Sequence, residues 1–142
     1  MMQPVIVPSL REAFAYSPAT KAVVVADEAV AAAYARRLAT MFDGRANVTR
    51  SLPEFVEVLD LSVDKGRALR LVAERLDIPM DQTLAIGDSW NDAPLLEAAG
   101  YGVAMGSAPP ELRAVADSIV GDLANDGVAE AIDKYVLVSS GA

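Results

Sequence analysis

The chain has 142 residues, 53% of them hydrophobic, a formal net charge of −8, and neither cysteine nor histidine. That length suits one compact domain with room for a sizeable core. The missing residue types exclude a disulfide framework, Cys- or His-ligated zinc and His-based nucleophile activation, so any metal chemistry must use oxygen ligands and points to Mg²⁺ or Ca²⁺.

Acidity argues against a nucleic-acid partner, because phosphate backbones are held by clustered Lys and Arg, and Arg36-Arg37 is the longest basic run. No stretch reaches the roughly 20 apolar residues of a membrane span. The start, Met1-Met2-Gln3-Pro4-Val5-Ile6-Val7-Pro8, has neither the basic nor the long apolar segment of a signal peptide. The expectation is a cytoplasmic protein with no membrane partner.

Residues 1–20, carrying Pro4, Pro8 and Pro18 with little periodicity, read as irregular. Lys21 to Ala26 is a β-branched run, hence a strand. Asp27 can cap an alanine-rich helix to Phe42, which Asp43-Gly44 ends. Ala46–Arg50 and Phe55–Leu59 read as two further strands.

After Leu59 helices alternate with short buried strands. Asp64 caps a helix whose Leu69, Val72, Ala73 and Leu76 fall at helical spacing. Strands are expected at Thr83–Ile86, Gly102–Met105 and Ser118–Val120. Helices are expected at Ala93–Ala99, closed by Gly100, at Pro110–Val115, and from Asp126 to Tyr135. Strands separated by helices pair in parallel. The pattern predicts an α/β protein: residues 60–142 as half of a doubly wound sheet, preceded by a smaller α+β piece over 1–59.

Ligands of such sheets sit beyond the carboxyl ends of the strands. Gly87–Asp92, Gly106–Pro109 and Gly121–Asp126 occupy that position. In the first, Asp88 stands at the sheet rim, while Asn91 and Asp92 open a helix whose free N–H groups favour an anion. Asp88 reads either as a Mg²⁺ ligand or as a solvated turn residue, and Asp92 as part of a site or as an ordinary cap. Lys65 sits in the first turn of its helix, where a cation opposes the macrodipole by about 0.3–1 kcal/mol. Gly66, a poor helix former, follows it. The pair reads as a position shaped for an anion, or as a surface lysine beside Asp60 or Asp64.

Ser51-Leu-Pro-Glu-Phe-Val-Glu-Val, Val63-Asp-Lys65-Gly66-Arg-Ala-Leu and Leu84-Ala-Ile-Gly87-Asp88-Ser-Trp-Asn91-Asp92 stand in order. Ala99-Gly100-Tyr-Gly102-Val-Ala-Met-Gly106 and Asn125-Asp126-Gly127-Val128-Ala129 follow them. This series resembles the haloacid dehalogenase superfamily, specifically its Cof-type, class IIB, capped sugar-phosphatase branch, from about Lys21 to Tyr135. The resemblance implies a Rossmann-like core behind a partial cap, and Mg²⁺-dependent hydrolysis of a small phosphate ester, such as a sugar phosphate, through an aspartyl-phosphate. It implies that Lys65 steadies the phosphate and the nucleophile's charge, Asp88 binds Mg²⁺, Asn91 contacts substrate or phosphate, and Asp92 braces the loop behind Asp88. Ser107 stands where the branch has asparagine.

The family's nucleophile lies in an Asp-x-Asp motif after a strand, and no Asp-x-Asp occurs in this chain. The nearest imitation, Val23-Val-Val-Ala-Asp27-Glu-Ala29, reads instead as cap segment with Asp27 capping a helix. The expectation is a truncated phosphatase holding the electrostatic half of the site and inactive alone. A non-catalytic binding or assembly module and a phosphomutase are the alternatives. The uncovered sheet edge at Thr83–Ile86 should be met by a second copy, giving a homo-oligomer, or by another partner.

Overall fold

The computed structural model describes residues 6–16 and 18–137. The reading of Met1–Pro8 therefore falls mostly outside the described residues, as does the end of the 60–142 segment. Helix α1 (Leu10–Tyr16) precedes β1 (Lys21–Val25), α2 (Glu28–Phe42) and the hairpin of β2 (Ala46–Leu52) and β3 (Phe55–Asp60). Then come α3 (Lys65–Arg75), β4 (Leu84–Gly87), α4 (Ala93–Ala98), β5 (Tyr101–Ala104), α5 (Pro110–Val115), β6 (Ser118–Ile119) and α6 (Gly127–Ile132).

Two sheets result. The first is antiparallel in the order β1-β3-β2, with a register irregularity between Arg50 and Leu52. The alanine-rich α2 packs on it, Ala31 and Val56 being fully buried. The second runs β4-β5-β6, parallel throughout, with Leu84 opposite Tyr101 and Val103 opposite Ser118. Alternation along β5 splits its core between two faces. Ala104 joins Ala85, Leu96, Ala108 and Leu112 against α4 and α5, while Val103 joins Met105, Val120 and Ala131 against α6. Helices on both faces of a parallel sheet are the α/β architecture that the alternating pattern requires. Among the described residues β4 is paired on one side only, by β5.

Four local expectations are corrected. The stretch taken as irregular contains α1, whose seven residues lie between the prolines that mask their periodicity. Gly100 is not a left-handed helix end; Ala99 closes α4 in extended conformation, and Gly44 is the glycine with positive φ among the described residues. Gly100 is required by close approach, since a Cβ there would lie 2.5 Å from the Met80 carbonyl oxygen. Gly66 is likewise a packing residue rather than a concession to an anion: a Cβ would lie 2.1 Å from the Pro94 carbonyl oxygen, where α3 crosses α4. Finally, α6 stops at Ile132, and the chain continues as a wider, π-helical turn over Asp133–Leu137.

The caps differ in chemistry. Asp64 accepts the Arg67 N–H at 2.7 Å, as a helix-capping carboxylate does. Asp27 holds the N-cap position of α2 but caps it only through its backbone carbonyl, to Ala31 N–H at 2.8 Å. No helix among the described residues is long and apolar enough to cross a membrane.

Candidate functional site

The carboxyl end of β4 runs into Asp88 and a short 3₁₀ turn, Trp90–Asp92, that leads directly into α4. Asp92 is the pivot of this turn and is buried, at 4% exposure. Its Oδ2 accepts the backbone N–H groups of Asp88 and Ser89, each at 3.0 Å. Ser89 returns the favour to the Asp92 backbone, closing a capping box. The other oxygen, Oδ1, is ion-paired with Lys65 Nζ. Asp92 therefore sits at the N-cap of α4 without capping it through its side chain. Its carboxylate reaches backward and ties the start of α3 to the end of β4.

Lys65 is the first residue of α3, so its side chain leaves the helix towards the β4 rim. Besides Asp92 it reaches Asn91 Oδ1 at 3.4 Å. It is not the surface partner of Asp60 or Asp64. Asp60 accepts Ser62 N–H and Oγ–H at 2.8 and 2.6 Å, and Asp64 faces Arg67 Nε at 3.3 Å. The buried Asp92 carboxylate supplies the anion that offsets the cation at a helix start. Lys65 keeps nearly half its side-chain exposure, so it has donors left for a second anion.

Lys65 and Asn91 line a cleft of about 490 Å³ between the two sheets. Asp88 is not on its wall. The exposed Asp88 lines a neighbouring hollow of about 420 Å³ with Ser51, Leu52, Pro53, Ser89, Trp90 and Ser107. Lys65 and Asp88 are thus joined through one shared carboxylate, Asp92, rather than by facing each other across one cavity. The Asp88 side chain has no hydrogen bond or ion pair among the described residues. Asp27 lies elsewhere, exposed beyond β1 on the antiparallel sheet, and lines neither hollow.

For a metal, the donor set is sparse. No cluster of three or more Asp or Glu side chains suited to a cation occurs among the described residues. Both Asp92 oxygens are already used, which leaves Asp88 as the free hard-oxygen ligand at this rim. Mg²⁺ keeps several waters and takes one or two carboxylates plus phosphate oxygens, so one face of such a cation fits Asp88.

The opposite wall of the cleft holds residues to which the motifs assign no role. Asn47, Thr49 and Ser51 of β2, Glu57 and Leu59 of β3, and Lys21 of β1 line it. Glu57 is 7% exposed, and its Oε1 accepts Lys21 Nζ and Ser51 Oγ, both at 2.8 Å. Burial pushes the Glu57 carboxyl up, but hydrogen bonds from Lys21 and Ser51 and the charges of Lys21 and Lys65 outweigh it and hold it below its ordinary 4.5. A partial signal is present in the sequence: polar Asn47, Thr49 and Ser51 recur at every second residue, which places them on one sheet face, while the charged Arg50 between them blurs the alternation.

The hairpin between β2 and β3 is also tied to the rim. Ser89 Oγ donates to the Ser51 carbonyl at 2.8 Å, and the Arg50 guanidinium lies 4.0 Å from the Trp90 ring centroid. A stacked cation of this kind contributes about 0.5–2 kcal/mol.

Comparison with known proteins bears on this geometry. Residues 7–132 match the haloacid dehalogenase-like hydrolase family. A curated relative from Bacillus subtilis, 5-amino-6-(5-phospho-D-ribitylamino)uracil phosphatase, is 42% identical over 90 residues, covering 63% of this chain and 36% of its own length. A haloacid dehalogenase-like hydrolase structure from B. subtilis superposes with a TM-score of 0.79 at 27% identity, over 92% of this chain and 46% of that one. A subclass IIB sugar phosphatase superposes with a TM-score of 0.65 at 25% identity, over 70% of this chain and 38% of that one. The matched stretch covers 37% of the length of one curated relative and as little as 16% of another.

Proposed function

The chain belongs to the haloacid dehalogenase-like hydrolases, and from that membership we propose that it carries the phosphate- and Mg²⁺-holding half of a phosphatase acting on a small phosphate ester of the sugar-phosphate kind. The observation that carries this reading is the double use of Asp92. One oxygen steadies the Lys65 ammonium and the other anchors the Asp88–Ser89 backbone. In this reading Lys65 neutralises the phosphate and the charge of the attacking carboxylate. Asn91 orients a phosphate or substrate oxygen. Asp88 is a Mg²⁺ ligand, and Asp92 holds both Lys65 and the Asp88 backbone in place. Mg²⁺, when bound, draws charge off the phosphoryl oxygens.

The family reaction moves the phosphoryl group from the ester oxygen to an aspartate carboxylate, releasing the alcohol, and water then frees inorganic phosphate. This chain has no Asp-x-Asp, and Asp27 stands at the start of α2, just beyond β1 of the other sheet. The nucleophile in this reading comes from a different polypeptide segment, and the 142 residues by themselves bind without turning over. The side of β4 left unpaired among the described residues supports the first of these: a strand joins there, from a second copy or from another chain.

Binding and turnover test it together. Inorganic phosphate should bind more tightly with Mg²⁺ than without; Asp88→Ala should abolish that difference, and Lys65→Met should weaken binding in both conditions. Aryl phosphate should not be hydrolysed by the chain alone. Turnover that Asp88→Ala removes would show that a nucleophile is present after all. A monomeric native mass would remove the second-copy arrangement.

A further inference from the structure

The phosphate chemistry above uses only the Lys65–Asn91 side of the cleft. The facing side is part of one face of the antiparallel sheet. Asn47, Thr49 and Ser51 recur at every second residue of β2, and the register sets Thr49 opposite Glu57 and both Asn47 and Lys21 opposite Leu59. The reverse face of β3 is apolar, with Val56 fully buried. A buried carboxylate on the polar face is costly unless it is paired and hydrogen-bonded. Glu57 meets that condition through Oε1, while Oε2 is not among the buried unpaired side-chain atoms of the described residues and so opens to the cleft. Oε1 takes both Lys21 and Ser51, whereas Oε2 receives no hydrogen bond from the described residues. Thr49, its cross-strand neighbour, makes no side-chain hydrogen bond among them either.

The charges of the cleft are already matched. Lys21 is compensated by Glu57, Lys65 by Asp92, and Asp64 by Arg67. A phosphate can still share Lys65, whose side chain is half exposed. A second anionic group, further along the ligand, would meet the Glu57 carboxylate with no spare cation beside it. Hydroxyl groups would instead find an unused acceptor in Glu57 Oε2 and a hydroxyl in Thr49. A volume of about 490 Å³ accommodates a phosphate with a polyol chain of several carbons.

We propose that Glu57, clamped by Lys21 and Ser51, is a specificity-determining residue of this cleft, accepting hydrogen bonds from the hydroxyls of a polyhydroxylated phosphate ester and turning away esters whose remainder carries a carboxylate. The proposal rests on the phosphate site at Lys65 described above. A site that pairs a ligand's donors discriminates because a ligand lacking them leaves buried polar groups unmatched.

Calorimetric titration of the whole chain in Mg²⁺ buffer separates the two ideas, using inorganic phosphate, sorbitol 6-phosphate and phosphoglycolate as probes. Inorganic phosphate should bind the unaltered chain, should bind Glu57→Gln no more weakly, and should bind Lys65→Met more weakly. Sorbitol 6-phosphate should bind about tenfold more tightly than phosphate, an advantage that Glu57→Gln erases. Phosphoglycolate should gain no advantage over phosphate until Glu57→Gln releases Lys21. Thr49→Val leaves the Glu57 clamp intact and should lower sorbitol 6-phosphate affinity several-fold while sparing phosphate, which covers the case of a poorly folded Glu57→Gln. Equal sorbitol 6-phosphate affinity in the unaltered chain and in whichever of the two variants folds, with phosphate still bound, overturns the role of Glu57. So does a preference of the unaltered chain for phosphoglycolate. If the unaltered chain binds no phosphate at all, the Lys65 site fails and the proposal falls with it.

Discussion

The two sheets of this chain handle polar groups in opposite ways. The parallel sheet β4-β5-β6 is covered by helices on both faces, and most of the buried apolar side chains belong to it and its helices. Its polar groups are confined to the strand ends, where Asp88 and Asp92 stand. The antiparallel sheet β1-β3-β2 is covered by α2 on one face and presents Asn47, Thr49, Ser51 and Glu57 to the cleft on the other. A doubly covered sheet can place a charged group only at its rim, so its site is compact and rigidly backed. A singly covered sheet can offer an entire face, and a face can be varied one residue at a time without disturbing the core.

The sharpest way to break this comparison is to open the doubly covered core. Leu112 is 1% exposed beneath β4 and β5. Leu112→Ala should cost about 2–5 kcal/mol in denaturant unfolding, whereas truncations on the polar face, such as Thr49→Ala, should stay within about 0.5 kcal/mol. Comparable losses at both positions would contradict the asymmetry. Asp92→Ala is next. It leaves Lys65 and two backbone N–H groups without their acceptor and should cost about 1–3 kcal/mol, together with the loss of phosphate binding. Asp92→Asn, which keeps one acceptor oxygen, should recover part of the stability but not the affinity.

The ion pair on the antiparallel sheet yields a pH test. The folded-state pKa of Glu57 lies below its ordinary 4.5, so between the two values the unfolded chain binds more protons. The stabilisation from Glu57 is complete above 4.5 and is lost as pH falls through the lower, folded-state value. Glu57→Gln should therefore show a shallower acid limb in thermal melts below pH 4.5, with little change of slope at neutral pH. An unchanged acid limb would show that the Lys21 pairing carries no stability. The smallest effects come from the caps. Asp64→Ala should cost about 1 kcal/mol, while Asp27→Ala should change stability by less than about 0.5 kcal/mol, because only the backbone of Asp27 caps its helix.

The parallel sheet was legible because its signals are local: β4, β5 and β6 are short apolar runs separated by helical segments, each expected within about a residue of where it lies. Lys65 was legible as an anomaly, a cation at a helix start, but its partner was not. Asp92 lies 27 residues away, and no local rule selects it over Asp60 or Asp64. Gly66 raised the right suspicion for the wrong reason, since the Pro94 carbonyl that demands it belongs to another helix. Glu57 stands inside the Ser51–Val58 motif without a role of its own, because an acidic residue in a strand ordinarily points to solvent.

From its residues alone this chain determined most of its strands and helices, which carboxylates stand at strand ends, and that these 142 residues supply no imidazole or thiol. Those are properties of period, composition and loop residues, and they need no knowledge of what packs against what. Tertiary structure alone decided that Asp92 would serve Lys65 and the Asp88 loop at once, that Lys65 and Asp88 would open onto different hollows, and that a polar stretch of β2 and β3 would confront Lys65 and Asn91 across the cleft. The reason is physical: ion pairing and burial depend on distances between elements remote in the chain, and those distances are set by how the two sheets close on α3 and α4.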